Sequence, residues 1–143
     1  MIRNGKSDLK LCGYTLGGEV LFYLEDRVLI NFSKNNLNRT QLRTTMANLL
    51  IYLLNNSRKD YIVDDEIMSN VWELNNLQAS SHRLWQVSKD LKLKLLEVGL
   101  STELFYRTER RGFSVNRELV TPIYCDHTTV ASRIQSDSNT VMS

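Results

Sequence analysis

Between Ser80 and Val98 (SSHRLWQVSKDLKLKLLEV) apolar and polar residues separate at helical spacing. Leu84, Leu91, Leu95 and Val98, with Val87 beside them, align as one stripe when successive residues turn by about 100°. The pattern predicts an amphipathic helix with that stripe on a core. His82, Gln86 and Lys89 fall on the opposite side, Ser81 at its start and Lys92 and Lys94 on its flanks. This donor-rich face suits phosphates and base edges, although a basic polar face is as often simply solvated. Trp85 and Leu93 also fall on or near the outer face, where a surface helix rarely places large apolar groups. In Phe105–Val115 (FYRTERRGFSV), aromatic and β-branched residues flank Arg107, Arg110, Arg111 and Gly112. That run predicts a two-stranded ribbon with a basic, glycine-bearing tip.

Earlier in the chain the period changes twice. Residues 1–11 lack periodicity and read as a loose arm, with a first strand near Leu9 to Leu11, and Gly13, Gly17 and Gly18 read as turns. Val20–Leu24 and Val28–Phe32, separated by Glu25, Asp26 and Arg27, read as a hairpin. Ser33–Arg39 (SKNNLNR) is then a polar connector. From about Thr40, Leu42, Met46, Leu49, Leu50, Leu53 and Leu54 recur at helical spacing until Asn55, Asn56 and Ser57 stop the pattern. A short extended link, Tyr61 to Val63, leads to a second helix over Glu66–Glu73, capped by Asp64 or Asp65 and facing inward through Ile67, Val71 and Trp72. Asn75–Ala79 joins it to the long helix. Two helices and a polar turn, the second bearing donors, make a helix-turn-helix arrangement.

With 143 residues, 42% of them hydrophobic, and one proline, the chain is sized for a single packed core. Its formal charge of +2 is unevenly spread: Gln78–Arg117 holds eight Lys or Arg against four Asp or Glu, and the remainder is net negative. A polyanionic partner on one side follows from that bias. Cys12 and Cys125 fit no metal-ligand spacing and no dense disulfide framework, and read as free thiols in a reducing compartment. The polar start, Met1 to Lys10, is no signal peptide, and the longest apolar run, Leu49 to Leu54, cannot span a bilayer, so a cytoplasmic location is expected. With two histidines, His82 and His127, no phosphate-cradling glycine loop and no metal-spaced pair, the expectation is a protein that is not an enzyme and takes neither cofactor nor metal.

The order of sheet, helix, helix-turn-helix and basic hairpin, carried by LLIYLL (49–54), VDDEIMSNVW (63–72), LKLKL (91–95) and RGF (111–113), resembles the winged-helix DNA-binding domain of OmpR/PhoB-type and ToxR-like bacterial transcription regulators. The likeness runs from about Val20 to Arg117. It departs from the family at Arg43 and Met46 in the first helix, at Ser88 where an aliphatic is usual, and around Arg107 in the wing. What the resemblance implies is an α+β winged helix-turn-helix: an N-terminal antiparallel β-sheet, three helices and a C-terminal β-hairpin wing. It implies double-stranded promoter DNA as ligand, helix 80–98 in the major groove and wing 105–115 at the minor groove. RNA polymerase and a second copy on paired half-sites would be further partners, and virulence or envelope genes the targets such relatives often control. The expected organisation is an arm over 1–19, the winged helix over 20–117 and a polar tail over 118–143, its last dozen residues disordered. ToxR-like proteins usually continue into a membrane span. Residues 118–143 hold no apolar segment long enough for one, which leaves open a soluble regulator or the cytoplasmic part of a longer protein.

Gln86 is the first choice for base reading, because its amide can pair bidentately with adenine. Lys89 suits a guanine or, more commonly, a phosphate, His82 and Ser81 the backbone at the helix start, and Trp85 a sugar or a protein. Lys92 divides between phosphate contact and covering the core. In the wing, Arg110 and Arg111 suit a narrow minor groove, Arg107 either DNA or the sheet flank, and Gly112 the backbone of the turn. The alternative is a winged-helix interaction adaptor that modulates another transcription regulator through the same surfaces. A steep salt dependence of duplex binding separates the two.

Overall fold

A computed structural model describes residues 9–33, 38–75 and 77–126. Short β-branched and aromatic runs pair into an antiparallel five-stranded sheet: β1 (Leu9–Leu16), β2 (Val20–Tyr23), β3 (Val28–Asn31), β4 (Asn38–Gln41) and β8 (Val120–Asp126), in the order β4-β3-β2-β1-β8. Alternation places Tyr14, Leu16, Val20, Phe22 and Leu29 on its inner face. Three helices share one core with that face: α1 (Thr44–Asn55), α2 (Asp64–Val71) and α3 (Ser81–Val98). A smaller antiparallel sheet, β5-β7-β6, joins the link β5 (Ile62–Val63) to the hairpin β6 (Phe105–Thr108) and β7 (Gly112–Val115). The α+β architecture therefore has the expected parts among the described residues: an antiparallel sheet, three α-helices and a hairpin after the third, although β8 follows that hairpin and returns to the large sheet.

Several elements differ from the sequence pattern, each because a distant strand supplies the partner. Gly13 lies within β1, opposite Tyr23, and a Cβ there would meet the Phe22 carbonyl oxygen at 2.4 Å. It is a close-approach glycine and not a turn. β4 is the polar run NRTQ, registered Val28↔Gln41 to Asn31↔Asn38 on β3, so the first helix begins at Thr44 and Leu42 is a buried connector residue. The second helix starts on Asp64 itself: Val63, paired with Gly112 of β7, takes the N-cap position and has no side-chain acceptor, so neither Asp64 nor Asp65 caps the helix. β1 pairs with β8 from Leu9↔Asp126 to Leu16↔Val120, so the sheet extends beyond the expected 20–117 span on both sides. This pairing joins Cys12 to Cys125 in a disulfide across 113 residues, correcting the expectation of two free thiols. Residues 1–8 and the last dozen fall outside the described residues.

Candidate nucleic-acid interface

Both ends of α3 are fixed before its surface matters. The Ser80 hydroxyl accepts the Arg83 N–H at 3.0 Å, an N-cap that satisfies one of the first-turn donors. At the other end Gly99 turns left-handed (φ +100°), Leu100 N–H donates to the Leu95 carbonyl and Gly99 N–H to that of Leu96. This Schellman arrangement brings Leu95 and Leu100, both buried, together. Buried Asn31 adds a tie from the sheet, donating to the Val98 carbonyl at 2.9 Å while its own oxygen accepts from Ser33 N–H and Oγ. The helix sits on Leu84, Ser88, Leu91, Leu95 and Val98, the predicted stripe with Ser88 added.

Away from that stripe His82, Arg83, Trp85, Gln86 and Lys89 are exposed, and Ser81 is exposed in the first turn. Trp85 is 51% exposed and serves as a platform: the His82 ring stacks at 6.2 Å between centroids and Lys89 Nζ lies 4.9 Å from the indole centre. A cation held over an aromatic face keeps its charge but loses freedom. Gln86 Nε2 reaches Asp90 Oδ1 at 3.4 Å, one helical turn on. Lys92 is tied down, 3.0 Å from Glu103 Oε2 and 5.3 Å from the Phe105 ring centre.

The hairpin carries three arginines in three different states. Arg107 forks onto the buried Asp64 carboxylate at 2.5 and 2.6 Å and lies 4.8 Å from the Phe113 ring centre. Hydrogen bonding to Asp64 raises its pKa, so this guanidinium is a strut between β6 and the start of α2. Arg110 lies over the Tyr61 ring at 5.6 Å. Arg111 adopts φ +57° at the end of the three-residue loop between Thr108 and Gly112, and its carbonyl accepts the Asp64 N–H at 2.9 Å. Arg110 and Arg111 are exposed, and neither has an ion pair among the described residues. Gly112 is required by space: a Cβ would lie 2.6 Å from the Ile62 carbonyl oxygen. Asp64 thus holds the hairpin twice, by side chain and by backbone.

No family model matches the chain, and no curated protein matches it. Among solved structures, the DNA-binding domain of E. coli CadC superposes with a TM-score of 0.61, covering 81% of this chain and all of that one at 16% sequence identity. The fold is a winged helix. In its terms α2 and α3 are the helix-turn-helix and β6–β7 the wing.

The residues that the sequence pattern singles out on α3 and at the wing tip are exposed apart from half-buried Lys92 and buried Gly112; the pattern does not single out Arg83, which is exposed beside them, or the Asp64 strut. Arg83 lies about 60° around the helix from Gln86, on the exposed side, a position that helical spacing alone gives. The Asp64–Arg107 pair spans 43 residues and has no local signal. Among the described residues no helix is long and apolar enough to cross a membrane, and no three His, Cys, Asp or Glu side chains cluster to hold a metal ion.

Proposed function

We propose that the chain is a sequence-specific, double-stranded DNA-binding transcription regulator. The observation that carries this reading is the pairing, on a fold shared with a DNA-binding domain, of a donor face on α3, fixed at both helix ends, with a wing tip whose Arg110 and Arg111 have no acidic partner among the described residues. Helix 81–98 enters the major groove. Gln86 and Lys89 meet base edges or phosphates there, with Arg83 beside them, and Ser81, His82 and Trp85 meet the backbone at the helix start. Lys92 and Arg107 support this surface more than they contact it, since Glu103 and Asp64 already hold them. The wing places Arg110 and Arg111 at the minor groove, where narrow stretches concentrate negative potential. Promoter DNA in the cytoplasm is the partner, with RNA polymerase and a second copy on an adjacent half-site as extensions of the same proposal.

The test is selection of genomic duplexes at two salt concentrations by the full chain, by a Gln86→Ala, Lys89→Ala variant and by an Arg110→Ala, Arg111→Ala variant. Expected are an enriched sequence, relaxed choice in the helix variant, and weaker binding to all duplexes with a salt slope shallower by about 1 to 2 in the wing variant. Retention of no duplex at low salt by any of the three overturns the reading. The same face would then be that of an adaptor docking on a protein.

A further inference from the structure

Cys12 and Cys125 are brought together by a break in the strand pairing. Along β1 and β8 the register runs Lys10↔Cys125, Leu11↔Tyr124, then Gly13↔Ile123, so Cys12 is the extra residue of a β-bulge. In an uninterrupted ladder Cys12 would be the diagonal neighbour of Cys125, about 7–8 Å away, beyond the reach of a disulfide. The bulge leaves the two Cα atoms 6.0 Å apart with the sulfurs bonded. Both residues are only half-buried. The Ile123 carbonyl oxygen lies 3.4 Å from Cys12 Sγ, an acceptor ready for a thiol at that position. The same local geometry therefore accommodates the bonded and the reduced pair.

We infer that Cys12 and Cys125 form a thiol–disulfide clasp that fixes β8, the strand by which the chain leaves the described fold, onto β1 in response to disulfide oxidants. β8 is an edge strand, and Pro122 within it has no N–H to donate. Reduced, the strand is held by main-chain bonds to β1 and by modest side-chain burial; bonded, it is covalently closed at the end that pairs with Leu9. Val120, Pro122 and Tyr124 of this strand also wall an open groove of about 800 Å³, whose other side is the end of α1 and the loop carrying Arg58. The clasp sets whether that wall stands.

The oxidant class is a small-molecule disulfide such as glutathione disulfide. One cysteine thiolate attacks it, forming a mixed disulfide and releasing one glutathione thiolate. The second cysteine, its proton lost to water, attacks the protein sulfur of that mixed disulfide and expels the second glutathione. Two protein thiols thereby lose two electrons and two protons, and the oxidant is reduced to two thiols.

The experiment uses the full chain in glutathione buffers from fully reduced to strongly oxidised, with acid quench, alkylation, intact mass and hydrogen exchange of β8 peptides. Expected is an intrachain bond, read as a loss of about 2 Da with no alkylation. With it, exchange over residues 120–126 slows by about tenfold or more relative to the reduced chain. Cys125→Ser should exchange at the fast rate in every buffer. If both cysteines still alkylate in the most oxidising buffer, if the bond forms only between chains, or if β8 exchanges equally in both states, the clasp is overturned. Neither readout involves DNA, so this result stands apart from the duplex test.

Discussion

At the scale of single residues, Arg111 separates what the wing needs for shape from what it offers a partner. Arg111 holds φ +57°, a left-handed conformation that costs a side-chain-bearing residue about 1–2 kcal/mol and glycine little. Arg111→Gly is therefore expected to leave thermal stability unchanged or raise it by up to about 1 kcal/mol, while weakening duplex binding. Arg111→Val should lose stability; a glycine variant that melts lower than the parent would show that the turn is held for another reason. A second cluster ties α1 to α2: the Tyr52 hydroxyl donates to the Glu66 carboxylate, Lys59 Nζ lies 2.7 Å from it, and Asn70 donates to Tyr52 at 3.3 Å. Hydrogen bonds from Lys59 and Tyr52 hold the Glu66 pKa below its ordinary value, and burial, then the bond to Glu66, pushes Tyr52 up to about 12. A depressed carboxylate contributes stability that is present above its unfolded pKa and lost as pH falls through the folded one. A raised phenol contributes stability that is intact below about pH 10 and lost as pH rises through about 12. Glu66→Gln should cost about 0.5–1 kcal/mol at neutral pH, as befits a partly exposed pair. In urea melts from pH 7 to pH 3 the gap to the parent should close below about pH 4; a gap constant with pH would discard the ionic account.

At the scale of elements, α3 is a mounted part whose mount is separable from its face. Asn31 reaches it from β3, and its amide satisfies the Val98 carbonyl in a fully buried place. Asn31→Ala strands that carbonyl and should cost about 1–3 kcal/mol in a denaturant melt. At a temperature where both proteins are folded, duplex affinity should fall less than threefold, since no face residue changes. A large affinity loss in a folded variant would mean that the mount also sets the helix angle. Which elements were legible in sequence follows from where each finds its partners. The α3 stripe of Leu84, Leu91, Leu95 and Val98, the β2–β3 hairpin and the wing carry their own periodicity or turn, and all stand as read. β4 does not: NRTQ has no apolar face, and it is a strand only because main-chain groups of β3 lie beside it. The capping role expected of Asp64 or Asp65 falls away because the strand pairing of Val63 with Gly112 starts the helix one residue earlier, which leaves the Asp64 carboxylate for Arg107, 43 residues away.

On the scale of the whole molecule, the sheet is closed by the two ends of the described chain, and this was the part least visible in sequence. β1 runs through a glycine and β8 lies in what read as a polar tail, so each looks like a terminus until it is placed against the other. The 20–117 span holds all of the helix-turn-helix and wing, yet it lacks β1, which supplies Tyr14 and Leu16, 5% and 0% exposed, to the core. Burying two such side chains contributes about 1.5–3 kcal/mol each. Removing β1 also leaves β2 as an unprotected edge and uncovers part of the inner face around Val20 and Phe22. Against a total stability of about 5–15 kcal/mol, that loss, added to the lost pairing of β1 with β2 and β8, removes a large share of the reserve. A fragment of residues 20–117 is expected to lack a cooperative urea transition and a native near-ultraviolet dichroism signal. One of residues 9–126 should keep both. Cooperative unfolding of the shorter fragment, at a midpoint close to that of the longer, would mean that the three helices and the wing hold together without the strands that close the sheet.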